Sequence, residues 1–152
     1  MKKPLILLFV VLTAGVSLYS QESYSELLRA DLKAEKVAIV TENMELTDAQ
    51  SRVFWPIYRK YDAELTIFND QRFALINDYA DNYDKMTDAK ADTLTKQVFS
   101  LMGKRLKLQE KYYKEFAKAL NPVLAAKFMQ IERQINALVD LQISSEIPLI
   151  AK

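Results

Sequence analysis

The chain has 152 residues and contains no cysteine, no histidine and only two glycines. These absences exclude disulfides, thiolate nucleophiles, cysteine-bound metal sites and glycine-rich phosphate loops, and they remove the commonest catalytic base. The formal net charge of +1 gives no reason to expect nucleic acid as a partner. Composition therefore favours a binding or structural protein over an enzyme, and we expect no catalytic residue, cofactor or metal.

The first twenty residues differ from the rest of the chain. Lys2 and Lys3 precede an unbroken apolar run at 5–12, and small residues follow it. This order is typical of a secretory signal peptide, and the apolar run is shorter than the roughly 20 residues that a bilayer span requires. We predict that residues 1–20 are removed, which leaves 21–152 as a single helical domain in the periplasm without stable membrane insertion. An uncleaved N-terminal anchor is the alternative.

The remaining sequence predicts helices. After residue 20 it holds one glycine and three prolines, too few for the turns of a β-rich fold, and its apolar residues recur at helical spacing. A first helix is predicted from Ser25 to about Glu42, because serine is a good N-cap and Glu26 follows it in the first turn.

The second helix begins at the clearest local signal in the chain. Thr47 is followed three residues later by Gln50, which predicts a capping box in which each side chain accepts from the other residue's backbone N–H. Pro56 lies two turns inside this helix and should bend it without ending it. An apolar stripe at helical spacing runs past the proline: Phe54, Ile57, Tyr61, Leu65, Phe68, Leu75 and Tyr79.

Residues 80–87 are predicted as a connection to the third helix. Thr87 repeats the cap of Thr47, but Lys90 replaces the glutamine, so only half of a capping box can form. The third helix carries two adjacent apolar stripes, which predict burial on two sides, inside a bundle or partly across a dimer. The first stripe is Leu94, Val98, Leu101, Leu108, Tyr112 and Phe116, and the second is Phe99, Met102, Leu106, Tyr113 and Leu120.

A fourth helix is predicted after Asn121, a good N-cap, with Pro122 at its first position. Its apolar residues are Leu124, Phe128, Ile131, Ile135 and Leu138, and residues 144–152 are predicted as an extended tail. Residues 62–92 carry eight acidic and three basic side chains, whereas residues 96–118 carry seven basic and two acidic ones. We therefore predict an all-α fold of four helices, with a long, bent, antiparallel hairpin at its centre.

The segment Leu46-Thr47-Asp48-Ala49-Gln50, followed by an aromatic helical run, resembles the L-T-x-x-Q motif of the Spy/CpxP family of periplasmic all-α proteins. That family has two such motifs. In this chain the counterpart of the second motif is sought at Leu120-Asn121-Pro122-Val123-Leu124, which matches in position and in capping chemistry but lacks the glutamine. The run Phe54-Trp55-Pro56-Ile57-Tyr58 also resembles distant secreted relatives of the group. The resemblance covers roughly residues 25–142.

The resemblance implies a cradle-shaped homodimer that binds unfolded or envelope proteins without ATP. From it we expect a periplasmic chaperone-like or envelope-stress protein. The alternative is a regulatory partner of a membrane stress sensor or of an anti-sigma system. Some members of the family bind zinc through histidine, so a chain without histidine is not expected to do so.

Two groups of side chains are candidates for client binding. Lysines interleave with aromatic residues on the third helix, so Lys104, Lys107, Lys111 and Tyr112 are candidates to attract negatively charged, partly apolar clients. A solvated face that pairs with the acidic second helix is the simpler interpretation. Aromatic residues surround Pro56, so an exposed patch is conceivable there, although a buried core cluster is the simpler interpretation. Its candidate residues are Phe54, Trp55 and Tyr58.

Two sets of carboxylates are candidates for metal or acid–base chemistry. Asp78, Asp81, Asp84, Asp88 and Asp92 form the one dense acidic cluster, but no calcium-loop glycine accompanies them. Glu115 and Glu132 are a conceivable pair, but the E-x-x-H motif of di-iron bundles cannot exist without histidine. We interpret both sets as solvated surface carboxylates.

Overall fold

The computed structural model describes residues 33–150, so the predicted signal peptide and the predicted helix start at Ser25 lie outside the described residues. The chain divides between Ile39 and Val40 into two compact units. Residues 33–44 are helical (α1), two residues beyond the predicted end at Glu42. In the second unit, Val40 and Met44 are buried.

Three longer helices follow. Helix α2 spans Asp48–Asn82, a short 3-10 helix spans Tyr83–Lys85, α3 spans Asp88–Ala119 and α4 spans Pro122–Glu146. With α1 they make the four predicted helices, and no strand occurs between residues 33 and 150, so the all-α prediction is confirmed. Helix α2 runs through Pro56 without ending there, as predicted.

The predicted caps are present. The Gln50 N–H donates to the Thr47 hydroxyl oxygen at 3.3 Å and the Thr47 N–H donates to Gln50 Oε1 at 2.9 Å, which completes the capping box. The Asn121 side chain accepts from the Leu124 N–H at 2.9 Å. Thr87 accepts from the Lys90 N–H at 3.2 Å, and the Lys90 ammonium binds Asp78 on α2 at 2.6 Å. Lysine at this position therefore cannot complete the capping box, but its ion pair connects the start of α3 to the end of α2.

Two predicted boundaries are wrong by a few residues. Helix α2 continues into the predicted connection, where the Asn82 amide donates to the Asp78 carbonyl oxygen at 2.8 Å and supports the last turn. Helix α4 takes up the first three residues of the predicted tail, and within this stretch the Ser144 hydroxyl donates to the Asp140 carbonyl oxygen at 2.7 Å. The non-helical tail begins at Ile147, and its Pro148 carbonyl oxygen accepts from the Tyr79 hydroxyl at 2.7 Å.

An aromatic cluster forms the core between α2, α3 and α4. Phe54, Phe116 and Phe128, one from each helix, are fully buried, and their ring centroids lie 4.7–5.3 Å apart. These separations are typical of favourable aromatic contacts. The side-chain contacts between helices show the relative helix directions. Helix α3 runs antiparallel to α2, as predicted for the hairpin, and α4 runs parallel to α2.

Candidate functional site

Helix α3 presents three different faces. The first predicted stripe supplies the buried face, with Leu94, Leu101, Tyr112 and Phe116 in the core. Val98, which belongs to the same stripe, is partly exposed. The other two faces are a lysine face toward α2 and an apolar face beside α4.

The lysine face pairs with α2. The Lys111 ammonium lies 2.6 Å from Glu64 Oε1, and the Lys104 ammonium lies 3.5 Å from Gln71 Oε1. The hydrogen bond from Lys111, together with one from the Tyr112 hydroxyl, holds the pKa of the Glu64 carboxyl below its usual value. Lys107 is exposed. These contacts match the simpler interpretation, in which the basic face pairs with acidic α2.

The aromatic candidates lie mostly in the core. Phe54, Tyr58 and Tyr112 are at most 2% exposed, and Trp55 is half-buried. Three of the seven predicted client-binding side chains are therefore too buried to contact a client in this conformation. The dense aromatic spacing reflects core packing, because Phe54 stacks on Phe116 across the α2–α3 contact.

The second predicted stripe of α3 is largely exposed. Its members Phe99, Met102, Leu106 and Tyr113 are 66%, 63%, 57% and 37% exposed, and we call these four residues the exposed stripe. Leu120, the fifth predicted member, is half-buried. Sequence spacing identified both stripes, but burial of the second within this chain does not occur. Leu138, one of the predicted apolar residues of the fourth helix, is likewise 70% exposed.

A groove between α3 and α4 adjoins the exposed stripe. Its volume is about 690 Å³, and its apolar lining includes Met102, Leu106 and Tyr113 from α3 and Met129 from α4. Charged side chains from both helices also line it: Arg105, Glu110, Arg133 and Asp140. The arrangement combines adaptable apolar contacts with cationic side chains, and it positions no nucleophile beside a base.

Two arginines converge on one carboxylate at the inner wall of this groove. Arg72 Nη1 on α2 lies 2.7 Å from Asp140 Oδ1, and Arg105 Nη1 on α3 lies 3.1 Å from Asp140 Oδ2. The Arg105 guanidinium also lies 5.6 Å from the ring centroid of Phe68. Both arginines are part of the long-range packing of three helices, which local sequence patterns do not reveal.

The interpretation of Glu132 as a surface carboxylate is wrong. Glu132 is fully buried, and its Oε2 accepts from the Tyr61 hydroxyl at 2.7 Å. Burial raises the pKa of the Tyr61 hydroxyl well above its usual value, and the negative charge of Glu132 adds to the effect. Glu132 therefore accepts a hydrogen bond that helps to hold α4 against α2.

The acidic cluster does not gather into a metal site. Between residues 33 and 150, no three acidic side chains lie close enough together to hold a metal ion. Asp78 pairs with Lys90, and Asp92 pairs with Lys96 one turn along α3.

A comparison with protein-family models, curated proteins and solved structures found no match to this chain. None of the helices that the structure describes combines the length and the apolar content that a bilayer crossing needs.

Proposed function

We propose that the protein is a periplasmic, ATP-independent chaperone-like protein that binds unfolded or partly folded envelope proteins on the exposed stripe. One observation carries the proposal: four large apolar side chains project from one face of α3 beside an open groove. Contiguous exposed apolar surface on a soluble chain commonly marks an interaction site. The resemblance of Leu46, Thr47 and Gln50 to the Spy/CpxP motif supports the same function.

The composition of this surface suits loose and reversible binding. Met102 and Met129 have flexible side chains that adapt to different partners. Arg133 in the groove adds attraction for acidic segments, so cationic steering is assigned to it in place of Lys104 and Lys111, which pair toward α2. A client that folds buries its own apolar surface and thereby leaves the stripe.

The experiment measures light scattering from a chemically denatured model protein diluted into buffer with this protein at several-fold molar excess. The wild type is expected to suppress aggregation. The variant Phe99→Ser/Leu106→Ser should lose at least half of that suppression. The matched control Ile67→Ser/Val123→Ser removes two side chains that are 60% and 77% exposed on α2 and α4, and it should behave as the wild type.

Absence of suppression by the wild type would contradict the proposal, and so would equal loss in both double variants. Affinity capture from an envelope extract separates the proposed function from the regulatory alternative. Many unfolded species are expected for a chaperone, whereas a single stoichiometric membrane partner would indicate a regulator. Sedimentation of the same variants tests the predicted homodimer and shows whether the exposed stripe contributes to it.

A further inference from the structure

A second cavity lies between α2, α3 and the C-terminal half of α4. Its volume is about 380 Å³, within the range of roughly 300–1,000 Å³ that is typical of small-molecule sites. Aliphatic side chains from all three helices form most of its wall: Leu75, Ile76, Leu94, Leu101, Ile143 and Ile147. Met102 is the one residue of the exposed stripe that borders this space, and Phe54, Phe116 and Phe128 of the aromatic core do not line it.

The cavity is charged at one end and apolar along the rest. Arg72, Arg105 and Asp140 lie together at one end. From there α2 continues to Tyr79, α4 leads to Ile147 just past its end, and antiparallel α3 brings in Leu94. The seven-position step from Asp140 to Ile147 corresponds to about 10 Å along a helix. The cavity is therefore an elongated apolar space with a polar head.

The charged end of the cavity has N–H groups that can bind an anion. Two guanidinium groups share one carboxylate, so the charged side chains that line the cavity are two positive and one negative. Within the described residues, the hydrogen bonds of both groups go to Asp140, which leaves N–H donors on each. The Arg72 and Arg105 side chains are only 21% and 17% exposed, so a charge-assisted bond to them is weakly screened by water.

We propose that this cavity binds a single acyl chain with an anionic headgroup, held by Arg72 and Arg105 at the head and by the aliphatic wall along the chain. The volume suits one chain. The planar guanidinium groups suit the oxygens of a carboxylate or a phosphate. A free fatty acid and a lysophospholipid share this chemistry, and the site adjoins the exposed stripe at Met102 alone.

Isothermal titration calorimetry with the full protein tests the proposal, with ligands kept below their micelle concentration. The Kd of saturated carboxylates should fall about fourfold with each added methylene until the chain fills the apolar length of the cavity. Beyond that length the Kd should stay constant. Decanoate should bind at least tenfold more tightly than decanol, which lacks the charge. Parallel titrations with lysophosphatidylglycerol and the zwitterionic lysophosphatidylcholine of equal chain length identify which anionic source is preferred.

Two variants and a control locate the site. Val98→Trp fills the cavity mouth from a partly exposed position and should weaken decanoate binding at least tenfold. Arg72→Gln should remove most of the preference of decanoate over decanol. Phe99→Ser, one residue along α3 and outside the cavity lining, should bind decanoate as the wild type, although it weakens the proposed client surface.

Equal affinity for decanoate and decanol would overturn the proposal. Unchanged binding by Val98→Trp, checked for wild-type helicity by circular dichroism, would do the same, as would no saturable binding of any anionic ligand. Because Phe99→Ser affects only the exposed stripe, failure of this site and failure of the proposed function give different results.

Discussion

The Tyr61 hydroxyl donates a 2.7 Å hydrogen bond to Glu132 Oε2, and both side chains are fully buried. The two residues are 71 positions apart in the chain, on α2 and α4. The Tyr61 ring also packs against Tyr112 and Phe128, with centroids 5.2 Å and 5.7 Å away. A polar bond is therefore enclosed in an aromatic core, where loss of a hydrogen-bond partner costs more than it does at the surface.

Tyr61→Phe should destabilise the fold. The substitution keeps the ring packing but removes the hydroxyl donor from a buried carboxylate, and we expect the free energy of unfolding to fall by about 2 kcal/mol. Urea unfolding followed by circular dichroism measures the change. Tyr113→Phe, on the exposed stripe, is the control and should stay within about 0.5 kcal/mol of the wild type. Equal effects of the two substitutions would show that the buried hydrogen bond contributes little.

The buried tyrosines should make the fold sensitive to alkali. Burial raises the pKa of the Tyr58, Tyr61 and Tyr112 hydroxyls, and nearby Asp62, Glu132 and Glu64 respectively raise it further. A raised folded-state pKa gives a stabilisation that is complete below about pH 10, the pKa of an unfolded tyrosine. Above that pH the unfolded state loses protons that the folded state keeps, so stability falls.

Above pH 10 the free energy of unfolding should fall by up to about 1.4 kcal/mol per pH unit for each such tyrosine. Urea unfolding of the wild type and of Tyr61→Phe from pH 9 to pH 11.5 isolates one of the three, because the lysines titrate in both proteins. The variant should show the shallower decline. Parallel curves for the two proteins would contradict the assigned direction of the Tyr61 pKa.

Gly103→Ala should stabilise α3. Gly103 lies in the helix interior and is exposed, and an added Cβ would have no heavy atom within 4 Å apart from its chain neighbours and the backbone of α3 itself. Since glycine is about 1 kcal/mol less favourable than alanine in a helix, the free energy of unfolding should rise by about that amount. Ser100→Ala, one turn earlier and also exposed, gives a smaller reference gain in the same urea experiment. A loss of stability in Gly103→Ala would mean that another molecule packs on this face.

Thr47→Ala should lower the free energy of unfolding by about 1 kcal/mol, because it leaves the Gln50 N–H without its side-chain acceptor at the start of α2. Thr47→Ser keeps a hydroxyl and should retain most of the stability. Thermal and urea midpoints of the two variants give the comparison. If both variants lost the same stability, the threonine methyl group and not the capping bond would be responsible.

Local features of the fold were predictable because they depend on residues three or four positions apart. The caps at Thr47, Thr87 and Asn121 each need one side chain and one N–H within the same turn, and all three are confirmed. The helix ends near Asn82 and Glu146 were less predictable, because the polar residues there, which favour a turn, remain helical and bond through their side chains to carbonyl oxygens one turn earlier.

The identity of the exposed surface was not predictable from spacing. Leu101 and Met102 are neighbours of similar polarity, yet Leu101 is 8% exposed and Met102 is 63% exposed. Which of two adjacent stripes faces the core depends on where α2 and α4 pack, and no pattern within α3 specifies that. Burial of Glu132 was missed for the same reason, since its partner Tyr61 is distant in sequence.

The division of α3 into three faces has a consequence for how this protein can change. Core residues and lysine pairs hold α3 in place, so Phe99, Met102, Leu106 and Tyr113 contribute little to the stability of the bundle. Substitutions among these four alter what the surface attracts while the scaffold persists. If the proposed client binding holds, drift or laboratory selection at these four positions can retarget it without compensating changes elsewhere in the chain.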